Sequence, residues 1–169
     1  MPHAALIITL SGRDRPGLVE DVSRIVNEHG GNWTQSRMAH LGQRFVGLLE
    51  IHTDADSADA LCAALRALPE LDLTLHVDEG AAPAVAPSLT LEVVGSDQKG
   101  IVRRIAKILA DGGFNIEELT SGVEAAPDSG ALLFRAKIRL SGGSEERFEP
   151  IRAQLESLAH DLMVDLRLD

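Results

Sequence analysis

The strongest constraint on this chain is a repeat whose two copies lie 83 residues apart. A constant offset without a gap over about twenty residues indicates an internal duplication. We therefore expect two small domains, at residues 1–79 and 88–169, joined by an Ala- and Pro-rich linker at 80–87. The residues that recur at this offset are Gly12/Gly95, Asp14/Asp97, Gly17/Gly100, Val19/Val102, Gly30/Gly113 and Asn32/Asn115.

Hydrophobic patterns predict the order β-α-β-β-α-β in each copy. The first helix follows the repeated turn, and Asp56 or Ser57 is expected to cap the second. This order is that of the ferredoxin-like unit, a four-stranded antiparallel sheet with two helices on one face. The predicted fold class is thus α+β, with two tandem βαββαβ domains. The strands are expected at residues 5–10, 32–41, 44–53, 71–77, 89–94, 115–124, 132–140 and 162–168.

Apolar residues in the helices and strands predict which faces are buried. Val19 and Val102 are expected on the buried stripes of the two first helices, and Leu132 on the buried face of its strand. The strand at 45–51 has apolar residues on both faces, because Val46 and Leu48 alternate with the core positions. We expect this second face to be covered by packing within the chain or against a second chain.

The turn between the first strand and the first helix is the chemically informative part of each copy. The first amides of a helix have no partners within the helix, and with the helix dipole they favour anions and carboxylates. Gly17 and Gly100 leave room for a ligand to approach the backbone. The alternative is that these glycines form a tight turn and that Asp14 and Asp97 only cap the helix. Asn32 and Asn115 reach the same pocket if the next strand lies beside the first.

Composition and motifs exclude several kinds of function. The net charge of −10 disfavours direct DNA binding. The sequence contains no recognisable catalytic, metal or cofactor motif, so no catalytic residue, metal or cofactor is predicted and the chain is not expected to be an enzyme. Cys62 is interpreted as a small core residue. Without a long apolar run or a second cysteine, we expect a cytoplasmic protein without a membrane span.

The turn Asp14-Arg15-Pro16-Gly17-Leu18-Val19 is followed by an amphipathic helix and a Gly-x-Asn step into the second strand. On a βαββαβ frame this resembles the ACT domain, a family of regulatory modules that bind amino acids. Two copies with little else resemble the glycine cleavage system transcriptional repressor family, and the resemblance covers nearly the whole chain. The second copy departs from the motif, since Gln98-Lys99 replaces Arg15-Pro16.

The resemblance implies a ligand and partners. Effectors of ACT proteins lie where two modules meet, against the first turn, with an Asn-type side chain in contact. The implied effector is a small amino acid, glycine or similar, and the implied partner is a transcription factor or another regulated protein, with a homo-oligomer expected. A sensor acting on a metabolic enzyme, or a small enzyme, remains the alternative. The implied ligand-binding residues are Asp14, Arg15, Gly17, Leu18, Asn32 and, more weakly, Asp97, Gly100, Ile101 and Asn115.

Overall fold

The computed structural model describes residues 3–69, 71–77, 89–127, 129–158 and 163–168. The chain divides into two compact units, Met1–Ala82 and Pro83–Asp169. The predicted linker 80–87 lies outside the described residues, so the exact domain boundaries stay a prediction. The elements of the first unit are β1 (His3–Arg13), α1 (Leu18–Glu28), β2 (Asn32–Leu41), β3 (Arg44–Asp54), α2 (Ala55–Arg66) and β4 (Leu71–Val77).

The second unit repeats the same order. A short 3-10 helix at Glu145–Arg147 precedes its last helix, in which Pro150 lies in the first turn, where proline is tolerated. Its elements are β5 (Leu89–Ser96), α3 (Ile101–Asp111), β6 (Phe114–Ala125), β7 (Leu132–Gly142), α4 (Phe148–Glu156) and β8 (Met163–Leu168). The predicted α+β, ferredoxin-like order is confirmed in both units.

Each unit contains one four-stranded antiparallel sheet. The strand orders are β2-β3-β1-β4 and β6-β7-β5-β8, so the first strand of each unit is central and the second lies at an edge. The duplication extends to irregularities: the register shifts between Trp33 and Gln35 in β2 and between Ile116 and Glu118 in β6. These two bulges lie at the same 83-residue offset as the turns.

Strand alternation places one face of each sheet against its helices. The first core includes Leu6, Ile8 and Leu10 of β1, and the second includes Leu91 and Val93 of β5. The helices α1 and α3 add buried residues at helical spacing, beginning with Leu18 and Ile101. Each unit therefore has its own aliphatic core between sheet and helices.

Three hydrophobic residues expected in the cores are exposed instead. Val19 and Val102 are 44% and 41% exposed, because each follows the first core residue of its helix and turns away from the sheet. Leu132 is 59% exposed at the first position of β7, where it pairs with Ala125 at the end of β6. The cap of α2 also differs from the prediction, since Asp54 and not Asp56 or Ser57 is the N-cap residue.

Thr53 is the buried polar residue of the first core. Its side chain is 3% exposed, and its hydroxyl has no hydrogen-bond partner among the described residues. A buried hydroxyl without a partner loses its hydrogen bonds to water and makes none in the protein, which lowers the free energy of unfolding.

We expect Thr53→Val to raise the free energy of unfolding by about 1 kcal/mol, since it removes the unpaired hydroxyl. The measurement is chemical denaturation of both proteins. Thr120→Val, at an exposed strand position, is the control and should change stability by less than about 0.5 kcal/mol. A loss of stability in the Thr53 variant would show that the hydroxyl is satisfied.

Candidate functional site

The turn after β1 is a type II β-turn formed by residues 15–18. The Leu18 amide donates to the Arg15 carbonyl at 3.4 Å, and Gly17 has φ 85° and ψ −3°. Proline at the second position and glycine with positive φ at the third are the residues that this turn type favours. Gly17 then serves as the N-cap of α1, and its carbonyl accepts from the Asp21 amide at 2.9 Å.

The turn after β5 has the same geometry without the proline. The Ile101 amide donates to the Gln98 carbonyl at 3.1 Å, and Gly100 has φ 80° and ψ 11°. Gln98-Lys99 therefore forms the same turn as Arg15-Pro16. Glycine, which is common to both turns, supplies the conformation that other residues rarely adopt.

A side-chain contact ties each turn to its helix, with the polarity reversed between the copies. Arg15 Nη2 lies 2.6 Å from Asp21 Oδ2 in the first unit. In the second unit Arg104 Nη2 donates to Gln98 Oε1 at 2.8 Å. The offset of 83 makes residue 15 equivalent to 98 and residue 21 equivalent to 104. The cation has thus moved from the turn to the helix while the contact is kept.

This exchange changes the charge at the two helix N-termini. Glu20 and Asp21 lie in the first turn of α1, whereas the first turn of α3 contains no acid. Arg103 stands at the position equivalent to Glu20, and Lys99 lies in the turn itself. Acidic side chains near a helix N-terminus compete with an external anion, and basic ones add to the dipole. The second turn is therefore the more favourable of the two for a carboxylate.

Leu18 and Ile101, two of the predicted site residues, present no side chain to a ligand at the turns. Their side chains are 3% and 4% exposed and belong to the cores. Their amides already donate within the turns. By contrast, Gly17, Gly100, Asp14 and Asp97 are exposed. A ligand at either turn therefore meets glycine backbone and the flanking charged side chains.

The structure does not bring the asparagines to the turns of their own units. Asp14 lies beside the β2–β3 hairpin, where its amide donates to the Gln43 carbonyl at 3.2 Å. Asn32 lies at the other end of β2, paired with His52, and this strand of ten residues spans roughly 30 Å. The condition for a shared pocket, a second strand beside the first, fails because β3 separates β2 from β1.

Asn115 occupies the corresponding place in the second unit. It pairs with Ser141 at the start of β6, and its Nδ2 donates to Glu117 Oε1 at 2.6 Å. The Ser141 hydroxyl donates to the same carboxylate oxygen. Asn115 is thus already part of a hydrogen-bonded group on the exposed strand.

Two further features bear on catalysis. Sequence reasoning missed the contact between His40 Nδ1 and Asp14 Oδ2, at 3.4 Å, since it depends on the hairpin. The other ring nitrogen faces the Gly42 carbonyl, so both nitrogens of this exposed side chain lie near oxygen acceptors. Burial raises the pKa of the Cys62 thiol, and the opposing effect of Arg66 is smaller. A raised pKa disfavours the thiolate that a nucleophilic cysteine needs.

No group of three or more potential metal ligands occurs in the described parts of the chain. Nor do those parts include a helix long and apolar enough to cross a membrane. A depression of about 410 Å³ lies on the second sheet, on the face away from the helices, and is lined by strand residues that include Glu92, Arg135 and Lys137. It includes neither turn.

Comparison with known proteins agrees with this architecture. Residues 4–78 match the model of the family described as the ACT domain. The glycine cleavage system transcriptional repressor of Escherichia coli (strain K12) is 29% identical over 140 residues, which cover 79% of this chain and 72% of the repressor. The protein of the same description from Shigella flexneri gives the same values.

Two solved structures resemble the whole chain. A protein of unknown function from Galdieria sulphuraria superposes with a TM-score of 0.86 at 27% identity, over 99% of both chains. A structure described as a candidate glycine cleavage system transcriptional repressor gives a TM-score of 0.70 at 20% identity, over 100% of this chain and 99% of the other. At the latter identity the likeness shows the fold alone.

Alanine at either turn glycine should destabilise its unit, because positive φ is unfavourable for a residue with a Cβ atom. We expect Gly17→Ala and Gly100→Ala each to lower the free energy of unfolding by about 1–2 kcal/mol. Gly122→Ala is the matched control, since a Cβ there meets nothing within 4 Å and its φ is not positive. Equal effects at all three positions, measured by denaturation, would contradict this role of the turns.

Proposed function

We propose that this chain is a tandem ACT-domain protein and an amino-acid-responsive regulator, most specifically a transcriptional regulator that acts by contacting another protein. The observation that carries the proposal is its 29% identity to the Escherichia coli glycine cleavage system transcriptional repressor over 72% of that protein. The repetition of the turn in both units supports it, because a regulator of this kind needs a preorganised ligand site on a rigid frame.

The chemistry of the turns supports a small amino acid, glycine or similar, as the effector. Helix amides and the dipole suit its carboxylate, and the exposed glycines Gly17 and Gly100 admit a ligand to the backbone. Electrostatics favour the turn at α3, which combines Lys99 and Arg103 with the absence of an acid from the first turn of the helix. The turn at α1 is the weaker of the two in this proposal.

The distance between each asparagine and the turn of its own unit limits which effector contacts are possible. Asn32 lies roughly 30 Å along β2 from the end near its own turn. A small amino acid spans much less than this distance. An effector held at a turn is therefore beyond the reach of the asparagine of the same unit.

The output proposed is protein contact and not DNA binding. The net charge of −10 opposes the electrostatic attraction on which nonspecific DNA binding depends. In the described chain, α1 and α3 each lead into a strand and not into the second helix of a helix-turn-helix pair. Two of the basic residues of α3 are already engaged, Arg104 with Gln98 and Lys107 with Asp111.

The proposal includes no catalytic activity and no cofactor, with a cytoplasmic location. The two similar proteins from Escherichia coli and Shigella flexneri are described as transcriptional repressors. The exposed pair of Asp14 and His40 lacks a counterpart in the second unit, because the residue that pairs with Phe134 there, as His40 pairs with Phe45, is Val123. Effector binding and protein contact account for a turn that occurs in both units better than catalysis by a pair of residues that occurs in one unit.

Effector binding should be detected by thermal shift with each of the twenty amino acids, followed by calorimetry. An amino acid at about 100 times its Kd should stabilise the fold by roughly 2.7 kcal/mol. Asn32→Ala or Asn115→Ala should weaken binding by about 1–3 kcal/mol where a buried hydrogen bond is lost. No binding by any amino acid, or binding indifferent to both asparagines, would count against the site.

A reciprocal pair of variants identifies the turn that holds the carboxylate. Arg103→Glu places in α3 the acid that α1 has at the equivalent position, and Glu20→Arg places in α1 the cation that α3 has there. For a ligand at the second turn, Arg103→Glu should weaken binding about two- to fivefold, while Glu20→Arg leaves it unchanged. The opposite pattern would assign the ligand to the first turn.

The output is tested with purified protein and with lysate. Mobility-shift assays over a salt series should show no sequence-specific DNA complex. Pull-downs should recover a transcription factor, and the amino acid identified by thermal shift should change the recovery, with a coupling of about 1–3 kcal/mol. Tight, specific DNA binding by the protein alone would refute the proposal, and recovery of a metabolic enzyme alone would favour an enzyme regulator.

A further inference from the structure

The first sheet exposes apolar residues on the face opposite its helices, which we call the first outer face. Val46 and Leu48 of β3 lie at its centre and are 45% and 46% exposed. Ile7 of β1, half-buried, lies next to them and lines a shallow depression of about 140 Å³ together with Leu48 and Glu50. Large apolar side chains grouped on one sheet face are typical of an interface.

The second unit provides an internal comparison for this face. Val46 pairs with Ser11 of β1, and Arg135 pairs with Val94 of β5; Ser11 and Val94 lie at the 83-residue offset. Leu48 corresponds to Lys137 by the same criterion, since their partners are Thr9 and Glu92. The apolar centre of one face is therefore replaced by two cations on the other.

These cations are paired within their own sheet. Arg135 Nε lies 2.9 Å from Glu124 Oε1, and Lys137 Nζ lies 3.7 Å from Glu92 Oε1. With exposed fractions of 57% and 67%, their side chains suit a face in contact with water. At the centre of the first outer face Val46 and Leu48 stand in place of these two cations, and Arg37 of β2 pairs with Leu48 across the strands, so the apolar pair is a property of that unit and not of the fold.

The charges along β3 indicate what covers the first outer face. Four successive outward residues of this strand are Arg44, Val46, Leu48 and Glu50, a cation, two apolar residues and an anion. Within one sheet Arg44 lies 3.7 Å from Asp72 and Glu50 lies 2.7 Å from His52, and all four side chains keep exposed surface that a second chain can contact. Reversing the strand gives an anion, two apolar residues and a cation. The pattern is therefore complementary to an antiparallel copy of itself, the property that an isologous two-fold interface requires.

We infer that the first outer face binds the first outer face of a second copy of this chain. The two-fold axis runs across the strands at Gly47. Each Val46 then faces the Leu48 of the other copy, and each Arg44 faces the Glu50 of the other copy. Two sheets packed in this way lie about 10 Å apart, which long side chains such as Arg and Glu span from opposite sides.

The dimensions of the sheet suit such a dimer. Four strands at about 4.8 Å spacing and roughly 30 Å of strand length offer a face of about 600 Å² before side-chain relief is included. Stable protein interfaces bury about 800 Å² per partner. The first outer face is thus close to the size of a specific interface, with Val46 and Leu48 beside Arg37 at its centre and charges at the ends of β3.

The association is tested on the full chain by sedimentation velocity over about a hundredfold range of concentration. The wild-type protein should show a monomer–dimer equilibrium. The double variant Val46→Arg with Leu48→Lys, which carries the residues of the second unit, should be monomeric at every concentration. Leu132→Lys is the control, because Leu132 is more exposed, at 59%, and lies in the second unit. Circular dichroism checks that each variant is folded.

A charge exchange separates this arrangement from other dimers. Arg44→Glu alone and Glu50→Arg alone should each weaken the dimer about tenfold, since each places like charges opposite each other at both ends. The double variant Arg44→Glu with Glu50→Arg should restore the wild-type Kd to within about threefold. Residues 44 and 50 lie roughly 20 Å apart on one strand, so only a second chain can provide this rescue.

Three results would overturn the inference. The wild-type chain is monomeric throughout the concentration range, or the Val46/Leu48 double variant still forms the dimer, or the charge exchange fails to restore it. A weaker dimer in both single charge variants and a restored dimer in the double charge variant support the antiparallel pairing of the first outer faces.

Discussion

Two glycines in the left-handed conformation determine the course of the chain in both units. Gly17 and Gly100 close a type II turn and begin a helix in the same step. Positive φ at this point sends the helix back across the sheet, so that Leu18 and Ile101 enter the cores at once. A residue with a Cβ atom would strain the turn and the helix start together. The exposed backbone of the turn, its helix amides and the buried first residue therefore all depend on this one conformation.

The two copies keep this geometry but differ in the charges around it. The contact between turn and helix persists while Arg15 and Asp21 give way to Gln98 and Arg104. An exchange that preserves the contact indicates that bracing the turn is the shared requirement. As a result, the first turn of α1 carries two acids, whereas the first turn of α3 carries cations and no acid. Two turns of one origin thus differ in the charge that surrounds their helix N-termini, and the second is the more favourable of the two for a carboxylate.

Local features of the fold could be predicted from the sequence, while features that depend on strand order could not. Alternation, helical stripes and the repeated turn determine the βαββαβ order because each is encoded by neighbouring residues. The distance between Asn32 and Gly17 is not encoded locally. It depends on β3 inserting between β1 and β2, a choice of topology to which no local pattern is sensitive. Val19 shows a smaller limit of the same kind, since periodicity alone does not say where a buried stripe ends.

Duplication also explains why the two outer faces differ. Two identical copies would present either two apolar faces, with a risk of uncontrolled association, or two charged faces with no means of association. Cations at the positions of Val46 and Leu48 make the second face soluble, and the ion pairs of Arg135 and Lys137 satisfy them within one sheet. The first face keeps its apolar centre between Arg44 and Glu50, and that charge pattern admits one antiparallel register. In this arrangement divergence after duplication leaves one face for association, while the turn glycines Gly17 and Gly100 stay exposed in both units.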